Sequence, residues 1–255
     1  MSKMTDQKLC NEWTPLPQWK IYENDYKTRK KWQDSLFKNM IQDAMRLFDK
    51  PTVLDIGCGR GLFGNVSLQT EIAGMADKMW GCEPDISIQS NSCFHQIFPN
   101  MLEESAIPQN SVHVAYSCYV IEHIPDPAGF FNKIYECLVE GGIFLGITDS
   151  RWSFFSTMSQ MIEWTRLKNF YLNLVCGERG KDRYENYPTY YRANTARAVK
   201  RCAPSFSKHY FAYWHRYGEL DHYLPQALRP LGWGIDTLSM AGVIPRQVFI
   251  IGLQK

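Results

Sequence analysis

The sequence predicts an α/β fold: a mostly parallel, doubly wound sheet of seven strands, with helices on both faces and a helical, aromatic-rich cap after the fifth strand. Two observations carry this expectation. Between residues 52 and 148 short apolar runs alternate with stretches of helical period, and parallel strands need such crossovers to return. The first run ends in Gly57, Gly59 and Gly61, where a strand must pass into a helix through a tight turn. The composition, 45% hydrophobic and 21% charged over 255 residues, is that of a globular protein and excludes disordered and fibrous classes.

Taken in order, Trp32, Leu36, Phe37, Met40, Ala44, Leu47 and Phe48 recur mostly at spacings of three and four, which predicts a helix from about Lys31 ended by Pro51. Residues 52–56 read as the first strand and 62–70 as a helix start. A second strand is expected at 79–82, its helix at 86–94, a third strand at Met101-Leu102 and a fourth at 111–117. Residues 130–139 set Phe131, Ile134, Tyr135 and Leu138 on one helical face, and 143–148 form the fifth strand. After Ser150 the pattern changes to a stretch rich in Trp, Phe, Tyr and Arg. Beyond it, 208–214 reads as a strand, 220–231 as a helix, and 247–253 as a final strand ending the sheet. The organisation predicted is an N-terminal arm and helix over residues 1–50, a core over 51–150, a cap over 151–205, and strands completing the sheet over 206–255.

A formal charge of +2 gives little reason to expect a nucleic-acid partner. No apolar run approaches the ~18 residues of a membrane span, and the first thirty residues lack the apolar centre of an export signal. Eight cysteines, none in a C-x-x-C pair, predict no zinc site and reduced thiols, so the expected compartment is the cytoplasm.

In an open α/β sheet a ligand sits beyond the carboxyl ends of the strands, so the loop after the first strand is where a nucleoside-type cofactor belongs. The glycines alone leave two cofactors open. Gly59, Gly61 and Gly64 satisfy G-x-G-x-x-G, and Glu83 follows about twenty residues on, as a dinucleotide site requires. A nicotinamide-dependent oxidoreductase is therefore one reading.

The wider set of motifs points elsewhere. Asp55-x-Gly57-x-Gly59-x-Gly61 resembles the first motif of the class I S-adenosylmethionine-dependent methyltransferases, and Trp80-Gly81-Cys82-Glu83-Pro84-Asp85 resembles the end of their second strand. The stretch from Tyr116 to Pro127, containing Ile121-Glu122-His123-Ile124, resembles the fourth-strand region of the subgroup related to ubiquinone biosynthesis. Leu138-Val139-Glu140-Gly141-Gly142-Ile143-Phe144 resembles the loop into their fifth strand. Four motifs in order over about residues 50–150 imply a Rossmann-like fold, S-adenosyl-L-methionine as cofactor and methyl transfer as activity.

The resemblance also implies roles. Glu83, with Pro84 beside it, would hold the ribose hydroxyls, since a carboxylate accepts two charge-assisted hydrogen bonds from vicinal hydroxyls. Gly57, Cys58, Gly59 and Gly61 would cradle the cofactor, with Asp55 near its methionine end. Met101, Leu102 and Glu103 would meet the adenine, with Glu104 the alternative acid. Tyr116, Ser117, Cys118 and Tyr119 would line the same pocket, the main chain of Cys118 facing the amino acid moiety. The family's acid at the start of the fourth strand is missing, and His113 stands there. Trp19, Tyr22 and Tyr26 are either a lid over the cofactor or plain packing.

His123 is the expected catalytic residue. The sulfonium is already activated, so the protein mainly positions the reactants, and a histidine can take the proton of a hydroxyl acceptor. A metal ligand beside Glu122 and a structural histidine are the alternatives. Residues 151–201 carry ten basic side chains against four acidic ones. Trp152, Tyr190, Tyr191 and Arg192 are the expected substrate contacts, suited to an anionic or aromatic small molecule. A cap with solvated charges is the competing reading. The predicted activity is methylation of a small-molecule acceptor, natural product, sugar or quinone-type, at oxygen. Methylation at nitrogen and a silent partner protein remain alternatives.

Overall fold

The computed structural model describes residues 19, 21–22, 24–25, 33–85, 92–154, 156–157, 160, 188–216, 218, 224 and 226–255. Its strands are β1 (Thr52–Ile56), β2 (Lys78–Cys82), β3 (Gln96–Phe98), β4 (Val112–Cys118), β5 (Leu138–Asp149), β6 (Lys208–Trp214) and β7 (Val248–Gln254). They form one sheet in the order β3-β2-β1-β4-β5-β7-β6. The pairs from β3 to β5 are parallel, while β7 runs antiparallel to both of its neighbours. β7 thus lies inside the sheet and β6 holds the edge, a correction to the expectation that the last strand ends it.

The helices are α1 (Gln33–Met45), α2 (Val66–Ala73), α3 (Pro127–Cys137), α4 (Ala196–Cys202) and α5 (Arg229–Met240). Each face of the sheet has its own core. One packs Leu36, Phe37, Met40 and Ile41 of α1 with Val53, Tyr116, Leu145 and Trp214. The other packs Phe130, Phe131 and Ile134 of α3 with Leu54, Phe144, Val199 and Phe249. The interior strand β1 is buried at every position, as a strand covered on both faces must be.

Several expected boundaries move for physical reasons. α2 starts at Val66, not Leu62, because Asn65 caps it by accepting the Ser67 amide. α3 starts earlier than predicted, because Asp126 caps it and Pro127 occupies its first turn. The third strand is Gln96–Phe98, and Leu102 lies instead in a 3-10 turn, Leu102–Glu104. Residues 92–94 of the predicted 86–94 helix are not helical, and 86–91 lie outside the described residues. The helix expected over 220–231 overlaps α5, which starts at Arg229 with Pro230 in its first turn, where proline is tolerated; residues 220–223 and 225 lie outside the described residues. Trp32 and Tyr26 lie outside the described residues, as does most of the 151–205 cap.

Trp19 is fully buried, edge-on to Tyr210 at 5.3 Å, and the Tyr22 hydroxyl donates to Asp43 at 2.7 Å. Both belong to packing against the sheet and α1, which corrects the lid reading for these two aromatics. Among the described residues no helix is long and apolar enough to cross a membrane.

Candidate active site

The carboxyl end of β1 runs into a loop that only glycine can build. Gly57 has φ +72°, and a Cβ there would stand 2.4 Å from a methyl of Val120. Gly61 has φ +104°, and its Cβ would meet the Asn65 backbone at 2.6 Å. The Gly57 amide donates to the Cys82 carbonyl at 2.8 Å, tying the loop to the end of β2. Buried Cys58 lies within the loop, its thiol pushed up by burial.

Glu83 leaves β2 beside this loop. Its Oε2 accepts the Gly59 amide at 3.0 Å and its Oε1 accepts the Asp85 amide at 3.1 Å. Burial raises its pKa, and these two amides oppose the shift. The carboxylate is therefore fixed at the glycine loop with further lone pairs available on each oxygen. Pro84 is exposed next to it.

Asp55 lies beneath the loop. It is 3% exposed, and its Oδ2 accepts from Gln69 Nε2 at 2.7 Å and from the Tyr116 hydroxyl at 2.8 Å. Gln69 also donates to the Cys58 carbonyl at 3.0 Å, so one amide joins strand and loop. Burial pushes the Asp55 carboxyl up to about 7 against the pull of both hydrogen bonds. Gln69 and Tyr116 were not singled out for this bracing role; a glutamine within a short helix gives no signal of it.

On the far side of β2, Met101 is exposed and Leu102 buried. Glu103 is half-buried, with Oε2 buried and lacking a partner, whereas Glu104 is exposed. Burial, and then the charges of Asp126 and Glu104, raise the pKa of Glu103. At the end of β4, Ser117 is fully buried with an unpartnered hydroxyl, Cys118 follows, and Tyr119 adopts φ +54°. The Tyr119 amide donates to the Ile147 carbonyl at 2.8 Å, and its hydroxyl accepts from Gln33 at 2.9 Å. His113, at the other end of β4, accepts the Thr52 amide through Nδ1 at 3.0 Å, and burial lowers its pKa.

His123 ends a 3-10 turn, Ile121–His123, and its Nδ1 lies 2.9 Å from the Pro188 carbonyl. A carbonyl can only accept, so Nδ1 carries the proton and Nε2 is the basic nitrogen. The same turn receives the 188–194 segment. The Glu122 carbonyl accepts the Tyr190 amide at 2.7 Å and the Tyr191 amide at 3.2 Å, and Arg192 donates to the Pro125 carbonyl. Tyr191 is 3% exposed, so its ring is part of the core and offers no surface to a ligand. Tyr190 is exposed with Arg192 over its ring at 5.3 Å; Trp152 is exposed with Arg151 over its ring at 5.6 Å.

Behind the turn lies a buried polar cluster missed in the sequence reading. Thr148 donates to Glu122 Oε2 at 2.6 Å, and Asn194 donates to Thr148 Oγ1 at 2.8 Å. Burial pushes the pKa of both Glu122 and Asp149 up. A signal existed: the run 143–147 of β5 is apolar and is followed by Thr148-Asp149-Ser150, at the edge where ligands bind. Among the described residues no three metal-binding side chains gather.

Residues 28–212 match the family model described as a methyltransferase domain. The chain belongs to the methyltransferase domain family. The methyltransferase is 31% identical over 106 residues to a probable S-adenosylmethionine-dependent methyltransferase of Mycolicibacterium smegmatis, a match covering 40% of this chain and 39% of that relative's length. Among solved structures it resembles a methyltransferase from Archaeoglobus fulgidus at TM-score 0.55 and 16% identity, over 92% of this chain and 99% of that one. It also resembles a phosphoethanolamine N-methyltransferase of Haemonchus contortus, solved with phosphomonomethylethanolamine and S-adenosylhomocysteine. That likeness has TM-score 0.55 and 14% identity, over 92% of this chain and 60% of that one. Both structures share its fold. The dinucleotide reading of Gly59, Gly61 and Gly64 gives way here. A dinucleotide-binding sheet runs 3-2-1-4-5-6, whereas the methyltransferase inserts an antiparallel β7 between β5 and β6.

Proposed function

We propose that this chain transfers the methyl group of S-adenosyl-L-methionine to a small-molecule acceptor. The observation that carries the reading is the glycine loop with Glu83 fixed against it: a turn packed so closely on Val120 and Asn65 that neither Gly57 nor Gly61 admits a Cβ, and a carboxylate with spare lone pairs at its rim. The residues fit the cofactor. Glu83 binds the ribose hydroxyls, with Pro84 beside it. Gly57, Cys58, Gly59 and Gly61 present backbone, and the unpartnered Glu103 oxygen takes the adenine amino group, flanked by Met101 and Leu102. Ser117, Cys118 and Tyr119 line the amino acid end, while Asp55 acts from below by holding the loop.

When bound, the cofactor supplies an activated methyl on a sulfonium. The chain aligns the acceptor for in-line displacement and relieves it of a proton. His123 serves that second task, because the Pro188 carbonyl fixes its tautomer with Nε2 basic. Trp152, Tyr190 and Arg192 form the rim on the acceptor side, within the 151–205 cap. The 1–50 segment covers the site through Gln33 on Tyr119. Oxygen is the acceptor atom expected from sequence; nitrogen needs the same deprotonation.

A thermal shift with S-adenosylhomocysteine and with NAD tests the cofactor. Stabilisation is expected with the first only, since a ligand of the native state raises stability. No response to S-adenosylhomocysteine would sink the proposal.

A further inference from the structure

The carboxyl ends of β4 and β5 hold more buried acceptors than donors. Asp149 is 8% exposed, and its Oδ1 has no hydrogen-bond partner. Fully buried Asn194 spends its Nδ2 on Thr148 Oγ1 and on the Asp149 carbonyl, both at 2.8 Å. The Thr148 hydrogen is committed to Glu122, so the amide cannot turn over, and Asn194 Oδ1 is left without a donor. Gln33, 6% exposed, repeats the pattern: Nε2 donates to Tyr119, and Oε1 is buried and unpartnered. Gln33 joins this end of the sheet through Tyr119, whose hydroxyl it holds and whose amide bonds to Ile147 of β5, two residues before Asp149.

Charge runs the same way. Two buried carboxylates, Glu122 and Asp149, act on each other, and among the described residues the guanidinium that opposes them at Asp149 is that of Arg216, 5.7 Å from the Tyr119 ring centre. Orphaned buried oxygens call for a donor-bearing ligand, and their charge calls for a cation. An ammonium group has three donors and no acceptor. A hydroxyl brings no charge, and a phosphate or carboxylate would be repelled.

We propose that Asp149 Oδ1, Asn194 Oδ1 and Gln33 Oε1 bind the ammonium group of a small amine, and that this nitrogen is the methyl acceptor. The proposal rests on the methyl-transfer reading and narrows it to N-methylation. The ammonium gives one proton to His123. The freed lone pair then forms the N–CH3 bond as the S–CH3 bond breaks, and sulfur keeps that electron pair. The product is a secondary ammonium with neutral S-adenosylhomocysteine.

The test is thermal unfolding of the full chain with S-adenosylhomocysteine present. Ethylammonium chloride is compared with sodium chloride at equal ionic strength, and with ethanol. Ethylammonium is expected to raise the melting temperature above both controls. In Asp149→Asn that increment should vanish while the S-adenosylhomocysteine shift stays. The proposal is overturned if ethylammonium and sodium act alike on the wild type, or if the increment survives the substitution. It is equally overturned if Asp149→Asn loses the S-adenosylhomocysteine shift, because the oxygens would then serve the cofactor's own amino group. Should the variant not fold, the wild-type comparison decides alone. Failure of S-adenosylhomocysteine to stabilise the wild type is a separate result and counts against methyl transfer itself.

Discussion

Replacing Asp55 by asparagine removes one buried titration and keeps the acceptor oxygen that Gln69 and Tyr116 use. In the folded chain burial lifts this carboxyl to about 7 from an ordinary value of 3.8. The native state thus holds a proton over that window when the unfolded state has released it. Stability falls as pH rises through the window and is level above it. Between pH 5 and pH 8 a carboxyl shifted this far costs the wild type roughly 2–3 kcal/mol. Urea unfolding of both proteins at pH 5 and pH 8, with the cofactor product absent, measures it. Asp55→Asn should lose less stability across that interval by roughly this amount, with Glu122 and Asp149 supplying the same background slope to both. Equal losses in the two proteins would mean that Asp55 is ionised throughout, and the bracing argument would need a charged carboxylate.

Two further outcomes concern the cofactor and the proton. Glu83→Gln should weaken S-adenosylhomocysteine binding by roughly ten- to a hundredfold, the worth of charge-assisted hydrogen bonds, as titration calorimetry would read; unchanged affinity would remove Glu83 from the ribose. His123→Ala should lower turnover by about a hundredfold or more and leave S-adenosylhomocysteine affinity nearly unaltered, and full activity in that variant would reduce His123 to a fastener of Pro188.

What was legible in the sequence followed from period and from chemistry tied to a fixed offset. The β1–β4 core was visible because its interior strands are mostly apolar and are punctuated by glycine. Glu83 was legible because it falls where β2 ends, beside the glycine loop. Met101-Leu102 misled because a two-residue apolar pair fits a 3-10 turn as well as a strand. The Gln33–Tyr119 and Glu122–Thr148–Asn194 contacts join residues far apart in the chain, through side chains whose type has no period. Such pairings are set by how elements pack, and a single sequence does not display them.

The position of β7 has a consequence for how the chain reaches its native state. β6 is synthesised first, yet its neighbour in the sheet is β7, which follows only after α5. Until then β6 carries Tyr210, Phe211 and Trp214, all buried in the finished fold, with no strand to join, and β5 presents a bare edge. At roughly 5–20 residues per second of synthesis that interval lasts seconds, far longer than collapse takes. The parallel half can assemble while the ribosome is still working, but the antiparallel half closes in a single late event. The nascent chain is most prone to pair with another copy of itself in that interval, and a chaperone would find its substrate there.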